Sequence, residues 1–328
     1  MPVLSQADEL QRRVTREDPL FIVLNVGSGN HEAAVRIATI RKVLDRAGQS
    51  HEILTVDDAH QLPHVTQRAV TLAQRLGGIV VAAGGDGTIS TVARAVLPSG
   101  LPFGVLPQGT FNFFGRAHGL SSDITEATQA LVHATVRPAR VGLVNKQLFL
   151  VNVSVGLYAQ VFEDREFYKK RLGRSRAVAL ASTLMTVLRQ HRRFTLHLDA
   201  DAHVQEVHTS TLVVGNNEPQ LERLGIPAVR ALEEARLIAI VVRSVGMLGL
   251  LRLVYDGAMG QLGQAEHVTT FAFDRLTVNA RFPFRHRRVK VAIDGELTRL
   301  SLPLVFEVAP TPLWLLVPAV ESLSGERI

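Results

Sequence analysis

Hydrophobic runs of strand length alternate with stripes of helical period through the first third of the chain. Residues 21–26 (FIVLNV) form a β-rich run that stops at Gly27, Ser28 and Gly29. Ile37, Ile40, Leu44 and Ala47 then recur at helical spacing, with Gly48 placed to end the helix. A short run at 52–56 (EILTV) precedes a second stripe of Val65, Ala69, Leu72, Ala73 and Leu76. Gly77 and Gly78 lead into the continuous apolar run 79–83. A third stripe follows at Ile89, Val92, Ala93 and Val96, and the run FGVLP at 103–107 ends just ahead of Gly109. Strands separated by helical crossovers predict a parallel sheet with helices on both faces.

From about residue 137 the rhythm changes. Residues 141–144 and 148–153 flank a polar turn at Asn145, Lys146 and Gln147, a hairpin signal. A helical stretch over 167–190 interrupts. Alternation then resumes at 194–216, and further strands read from LIAIVV, FAFDRLTVNA, RVKVAID and VFEVA. Strand after strand with tight turns predicts an antiparallel β-sandwich. The expected fold class is α/β plus β. A doubly wound parallel-sheet domain covers 1–138 and a β-sandwich domain covers 139–311.

Composition narrows the field. A chain of 328 residues is comfortable for two domains, and 46% hydrophobic with 20% charged residues describes a globular protein. No apolar run reaches the roughly 18 residues needed to cross a bilayer. The N-terminus is polar and has no signal-peptide core, so a cytoplasmic location is expected. There is no cysteine, which excludes disulfides, thiolate zinc sites and cysteine nucleophiles. The twelve histidines form no HExxH pair.

A net charge of +6 suits nucleic acid, an anionic membrane or phosphate-bearing ligands alike. Arg165, Lys169, Lys170, Arg171, Arg174 and Arg176 precede an apolar stretch to Leu188, followed by Arg189, Arg192 and Arg193. That pattern fits either a helix lying on an anionic membrane or a solvated helix face. The basic run at 285–288 has the same two readings. Neither shows the aromatic interleaving of single-strand binders, so no nucleic-acid partner is expected.

The sharpest local feature is Gly84, Gly85, Asp86, Gly87 and Thr88, placed after a strand and opening a helix. Glycines there let backbone N–H groups approach a ligand, and the helix N-terminus adds partial positive charge. A carboxylate in a phosphate cradle calls for a divalent cation, which makes Asp86 a candidate Mg²⁺ contact. The plainer alternative is a glycine-rich turn with Asp86 as helix N-cap. Pro107, Gln108, Gly109, Thr110, Phe111 and Asn112 form a second loop at the same sheet edge. Thr110 and Asn112 can supply neutral hydrogen bonds there. Asp294, Gly295 and Glu296 end a basic strand and pair two carboxylates around a glycine, the kind of group that accepts a hydroxyl proton. No glycine–lysine pair exists, so a Walker loop is absent. Glu32 stands where a dinucleotide fingerprint would need its third glycine, which argues against a dehydrogenase.

Taken in order, GGDGT, PQGTFNFF and DGE resemble the diacylglycerol-kinase catalytic domain family, which includes soluble bacterial lipid kinases and the sphingosine and ceramide kinases. NVGSG at 25–29, FLVNVSVG at 149–156, RLG at 171–173, VGNN at 214–217 and PLWLLVP at 312–318 fit the same order. The resemblance implies an ATP-dependent lipid kinase using Mg²⁺, with the C-terminal tail 312–328 returning to the first domain. Carried over by position, Asn25, Thr55, Gly84, Gly85, Asp86, Gly87, Thr88, Ile89, Ser90 and Thr110 would contact ATP. Gly27, Ser28, Gly29, Gly109 and Asn112 lie in the same loops. Glu296 would accept the proton, with Asp294 its neighbour. A second, structural Mg²⁺ would fall at Glu234, but Glu234 and Ala235 stand where Asp-Gly is usual.

The expected partners are a lipid substrate at the surface of an anionic membrane, bound peripherally from the cytoplasmic side; a homodimer is left open. Two alternatives remain at this stage. One is an NAD kinase-like enzyme acting on a soluble substrate, which shares the GGDG loop. The other is a non-catalytic nucleotide- or lipid-binding pseudokinase, for which the altered Glu234 loop is the hint.

Overall fold

The computed structural model describes residues 12–26, 30–156, 194–200, 203–223, 225–226, 236–243, 249, 252, 255–256, 259–261, 263, 265–281 and 288–319. The chain divides into two compact units, Met1–Arg140 with Pro310–Ile328, and Val141–Ala309. The expected 167–190 helix and its basic flanks lie outside the described residues.

The first unit alternates β1 (Leu20–Asn25), α1 (Asn30–Ala47), β2 (His51–Val56), α2 (Leu62–Leu76), β3 (Ile79–Gly84), α3 (Asp86–Val96) and β4 (Phe103–Pro107). Two short helices, α4 (Phe113–Ala117) and α5 (Ile124–Val132), precede β5 (Thr135–Ala139). The strand β17 (Leu313–Val317) returns from the C-terminus, completing a six-stranded sheet in the order β2-β1-β3-β4-β17-β5. All neighbours are parallel except β17 and β5. Every residue of β3 and β4 is buried, as strands covered on both faces require. These strands therefore read as continuous apolar runs instead of alternating ones.

The helical stripes were legible to different degrees. In α3 all four expected positions, Ile89, Val92, Ala93 and Val96, are fully buried. In α2 the buried face is Leu62, Thr66, Ala69, Val70 and Ala73, while Leu76 is 61% exposed. The helix is rotated by part of a turn from the expected stripe. Pro63 opens its first turn, and Gly77 at φ 65° ends it just past Leu76, leaving that side chain at the rim.

The second unit is an antiparallel sheet. Its described strands are β6 (Gly142–Val144), β7 (Gln147–Phe149), β8 (Asn152–Gly156), β9 (Phe194–Ala200), β10 (His203–Gly215), β11 (Leu237–Arg243), β12 (Val268–Phe273), β13 (Arg275–Arg281), β14 (Arg288–Ile293), β15 (Glu296–Ser301) and β16 (Leu304–Val308). The main path runs β15-β14-β8-β10-β9-β13-β16-β6-β7, with β11 and β12 branching from β10. Residues from both ends of that path, among them Phe149, Val291, Leu212 and Phe306, share one core, so the sheet closes over itself. The long β10 pairs with β9 over 203–209 and with β8 over 211–215, and its pairing with β11 carries a bulge between Thr209 and Thr211.

Two expected strands divide. FAFDRLTVNA breaks at Asp274 into β12 and β13. The run 148–153 breaks at Leu150 and Val151, because Asp294, far along the chain, takes the N–H groups of both. Asn145 (φ 46°) and Lys146 (φ 66°) form the expected hairpin turn as a two-residue loop.

Candidate active site

In the first unit the loops that leave β1, β3 and β4 all emerge at the carboxyl end of the parallel sheet, where open α/β sheets bind ligands. Gly85 is the N-cap of α3, in extended backbone, and no side chain caps the helix. Asp86 is therefore the first helical residue, and the alternative that it serves as N-cap is set aside. One of its carboxylate oxygens lies 3.4 Å from the Phe114 backbone nitrogen.

Backbone closeness explains the glycines. The Gln108 N–H donates to the Gly84 carbonyl at 2.8 Å, tying the β4 loop to the end of β3. A Cβ at Gly109 would sit 2.9 Å from the Gly85 Cα, and one at Gly84 would sit 2.7 Å from the Thr88 Cβ. Only hydrogen fits at these points. The result is a surface of bare backbone beside an uncapped helix N-terminus, suited to phosphate oxygens.

Two asparagines hold this surface in shape. Asn25, at the end of β1, donates from Nδ2 to Thr88 Oγ1 at 3.0 Å, joining β1 to α3. Asn112 adopts the left-handed conformation (φ 49°) that Asn tolerates, and its Oδ1 accepts the Gly109 N–H at 2.7 Å. That oxygen is committed inside the loop, whereas Thr110 is exposed. Ile89 is fully buried, and its N–H already bonds the Gly85 carbonyl, so it supports the helix. Ser90 is likewise fully buried, while Thr55 is exposed near the end of β2. Gly27, Ser28 and Gly29 lie outside the described residues.

Beneath the β4 loop, His118 packs edge-on against Phe114 with ring centroids 4.7 Å apart. Burial pushes its pKa down to about 4, so the ring is neutral near pH 7. Nothing in the sequence pattern marks this histidine, because its burial depends on the fold of α4.

In the second unit the DGE, FLVNVSVG and VGNN segments meet at one sheet edge. Asp294 (φ 48°) and Gly295 (φ 86°) form the two-residue turn between β14 and β15. The Asp294 carboxylate accepts the N–H groups of Leu150 at 2.9 Å, Val151 at 2.8 Å and Asn152 at 3.1 Å. Asn152 donates from Nδ2 to Gln220 Oε1 at 2.8 Å. Asn217 caps the helix α6 (Glu218–Arg223) by accepting the Gln220 N–H at 3.1 Å. Glu296, the first residue of β15, is exposed. Sequence reasoning missed Gln220, whose role exists only once β8 and α6 are neighbours.

Among the described residues no three His, Asp or Glu side chains cluster as a metal site, and no helix is long and apolar enough to cross a membrane. Glu234 lies outside the described residues. A cation at the first site would rest on Asp86 and on oxygens brought by the ligand.

Residues 19–144 match the family described as the diacylglycerol kinase catalytic domain. An uncharacterised protein of Synechocystis is 25% identical over 281 residues, 83% of this chain; the chain spans 63% of that relative's length. A diacylglycerol kinase of Bacillus subtilis is 23% identical over 280 residues, 84% of this chain and 88% of that one. A crystal structure of a diacylglycerol kinase from Bacillus anthracis superposes with a TM-score of 0.66 at 20% identity, covering 92% of this chain and 97% of that one. At that identity the likeness shows the fold.

Proposed function

On the premise that residues 19–144 carry a diacylglycerol kinase catalytic domain, we propose that the chain transfers the γ-phosphoryl group of ATP to a hydroxyl of a membrane lipid, diacylglycerol-like or sphingoid. The observation that carries this reading is the bare-backbone surface of Gly85 and Gly109 at the N-terminus of α3, with one carboxylate, Asp86, at its rim. Backbone N–H groups and the helix dipole hold phosphate oxygens there. Asp86 would hold Mg²⁺, which supplies neutralisation of the triphosphate charge.

Glu296 takes the proton of the acceptor hydroxyl as its oxygen forms the new bond to the γ-phosphorus. The bond from that phosphorus to the bridging oxygen breaks, and ADP leaves with the electron pair. Positioning and charge stabilisation supply most of the rate enhancement in such transfers. The chain acts at the surface of an anionic membrane, from the cytoplasmic side. Support for the acceptor class comes from the names of the relatives.

Labelled ATP with Mg²⁺, purified protein and a total lipid extract test the proposal. Label in the organic phase is the expected result. Label on NAD in its place, or ATP binding with no transfer to any acceptor, would overturn it. Mass analysis of the product then identifies the lipid.

A further inference from the structure

One acidic side chain does more for the backbone than any other described in the second unit. The Asp294 carboxylate accepts three consecutive N–H groups, from Leu150, Val151 and Asn152, at 2.8–3.1 Å. Its own N–H donates to the Asn152 carbonyl at 2.8 Å. A single residue thus fixes a three-residue segment more than 140 positions earlier in sequence. That segment in turn fixes two more: the Val151 carbonyl accepts the Asn216 N–H at 2.9 Å, and the Asn152 amide bonds Gln220. The start of β8, the end of β10, the first turn of α6 and the β14–β15 turn all close on this one carboxylate.

A carboxylate offers about four lone-pair sites, and three here face backbone donors. Taking a substrate proton on these oxygens would remove the negative charge that strengthens the three bonds holding the segment. Glu296 lies two residues on, beyond the turn, at an exposed position. Asp294 also has to accept a left-handed φ of 48°, which Asp and Asn tolerate and alanine does not.

We infer that Asp294 is a positioning residue: it anchors the 150–152 segment and sets the turn that presents Glu296, and it does not accept the proton. This rests on the phosphoryl-transfer reading, and the anchor can be tested apart from it. Asp294→Asn keeps the turn and one acceptor oxygen, whereas Asp294→Ala keeps neither.

Kinetics of three variants separate the roles. Asp294→Asn is expected to keep roughly a tenth or more of the wild-type kcat. Asp294→Ala should fall about 100-fold, as loss of positioning does. Glu296→Gln should fall about 1,000-fold with ATP affinity retained, as loss of a general base does. Rescue by Asn relative to Ala is the signature of an anchor. The inference is overturned if Asp294→Asn falls as far as Glu296→Gln while its amides at 150–152 stay protected from hydrogen exchange. It is also overturned if those amides stay protected in Asp294→Ala. Should the wild type transfer nothing to lipid, the proposed function fails, and amide exchange alone decides the anchor.

Discussion

Replacing Gly109 with alanine probes the phosphate surface where backbone meets backbone. The added Cβ would sit 2.9 Å from the Gly85 Cα, 2.9 Å from Asn112 Oδ1 and 3.5 Å from the Asp86 nitrogen. Carbon atoms pack comfortably at about 3.5–4.0 Å, so the two loops must part by roughly 0.6–1 Å. Asn112 cannot simply turn away, because its Oδ1 is held by the Gly109 N–H and the residue is buried. Overpacking of this kind costs about 1–3 kcal/mol, and a rim loop relaxes toward the lower figure. The melting temperature should fall by about 2–4 °C for each kcal/mol. The functional effect should be larger. A displacement near 1 Å beside the phosphates costs about 100-fold in transfer, and ATP affinity should weaken about tenfold. Isothermal titration with ATP and Mg²⁺, beside a thermal melt, measures both. A variant that melts lower yet binds ATP as wild type does would refute the assignment of this surface to the nucleotide.

Three further outcomes follow from the same structure. Asp86→Asn should fold normally, and its ATP affinity should no longer respond to removal of Mg²⁺, whereas that of the wild type should weaken; equal responses by titration would remove Asp86 from the metal. Burial holds the His118 pKa at about 4, below the 6.5 of an unfolded chain, so its contribution to stability is complete above pH 6.5. That contribution is lost as pH falls from 6.5 to 4, by about 1.4 kcal/mol per unit, and His118→Gln should flatten the urea midpoints across that range. Gly142→Ala would drive a Cβ to 2.2 Å from the buried Phe149 ring, and chemical denaturation should show a loss of about 1–3 kcal/mol.

Much of this molecule is written locally. Strands buried on both faces, such as β3 and β4, appear as unbroken apolar runs, and the stripe in α3 names its own buried face. The glycine loops are legible for the same reason: close approach excludes a side chain, at Gly109 against the Gly85 backbone and at Gly84 against the Thr88 side chain. Family resemblance extended the reading to Glu296 and to the return of the C-terminal strand, seen as β17.

Other features depend on partners distant in sequence, and only the folded chain decides them. The run 148–153 has every local mark of a strand, yet it breaks because Asp294 competes for its N–H groups. Asn25 is expected beside the nucleotide, and only the folded chain shows that its amide also ties β1 to Thr88, sixty-three residues away. The face of α2 shifted because packing against the sheet, and not hydrophobic count, selects which side chains are covered. Periodicity sets which elements form; hydrogen-bond donors and acceptors brought together from remote segments set where those elements stop and what their ends can do.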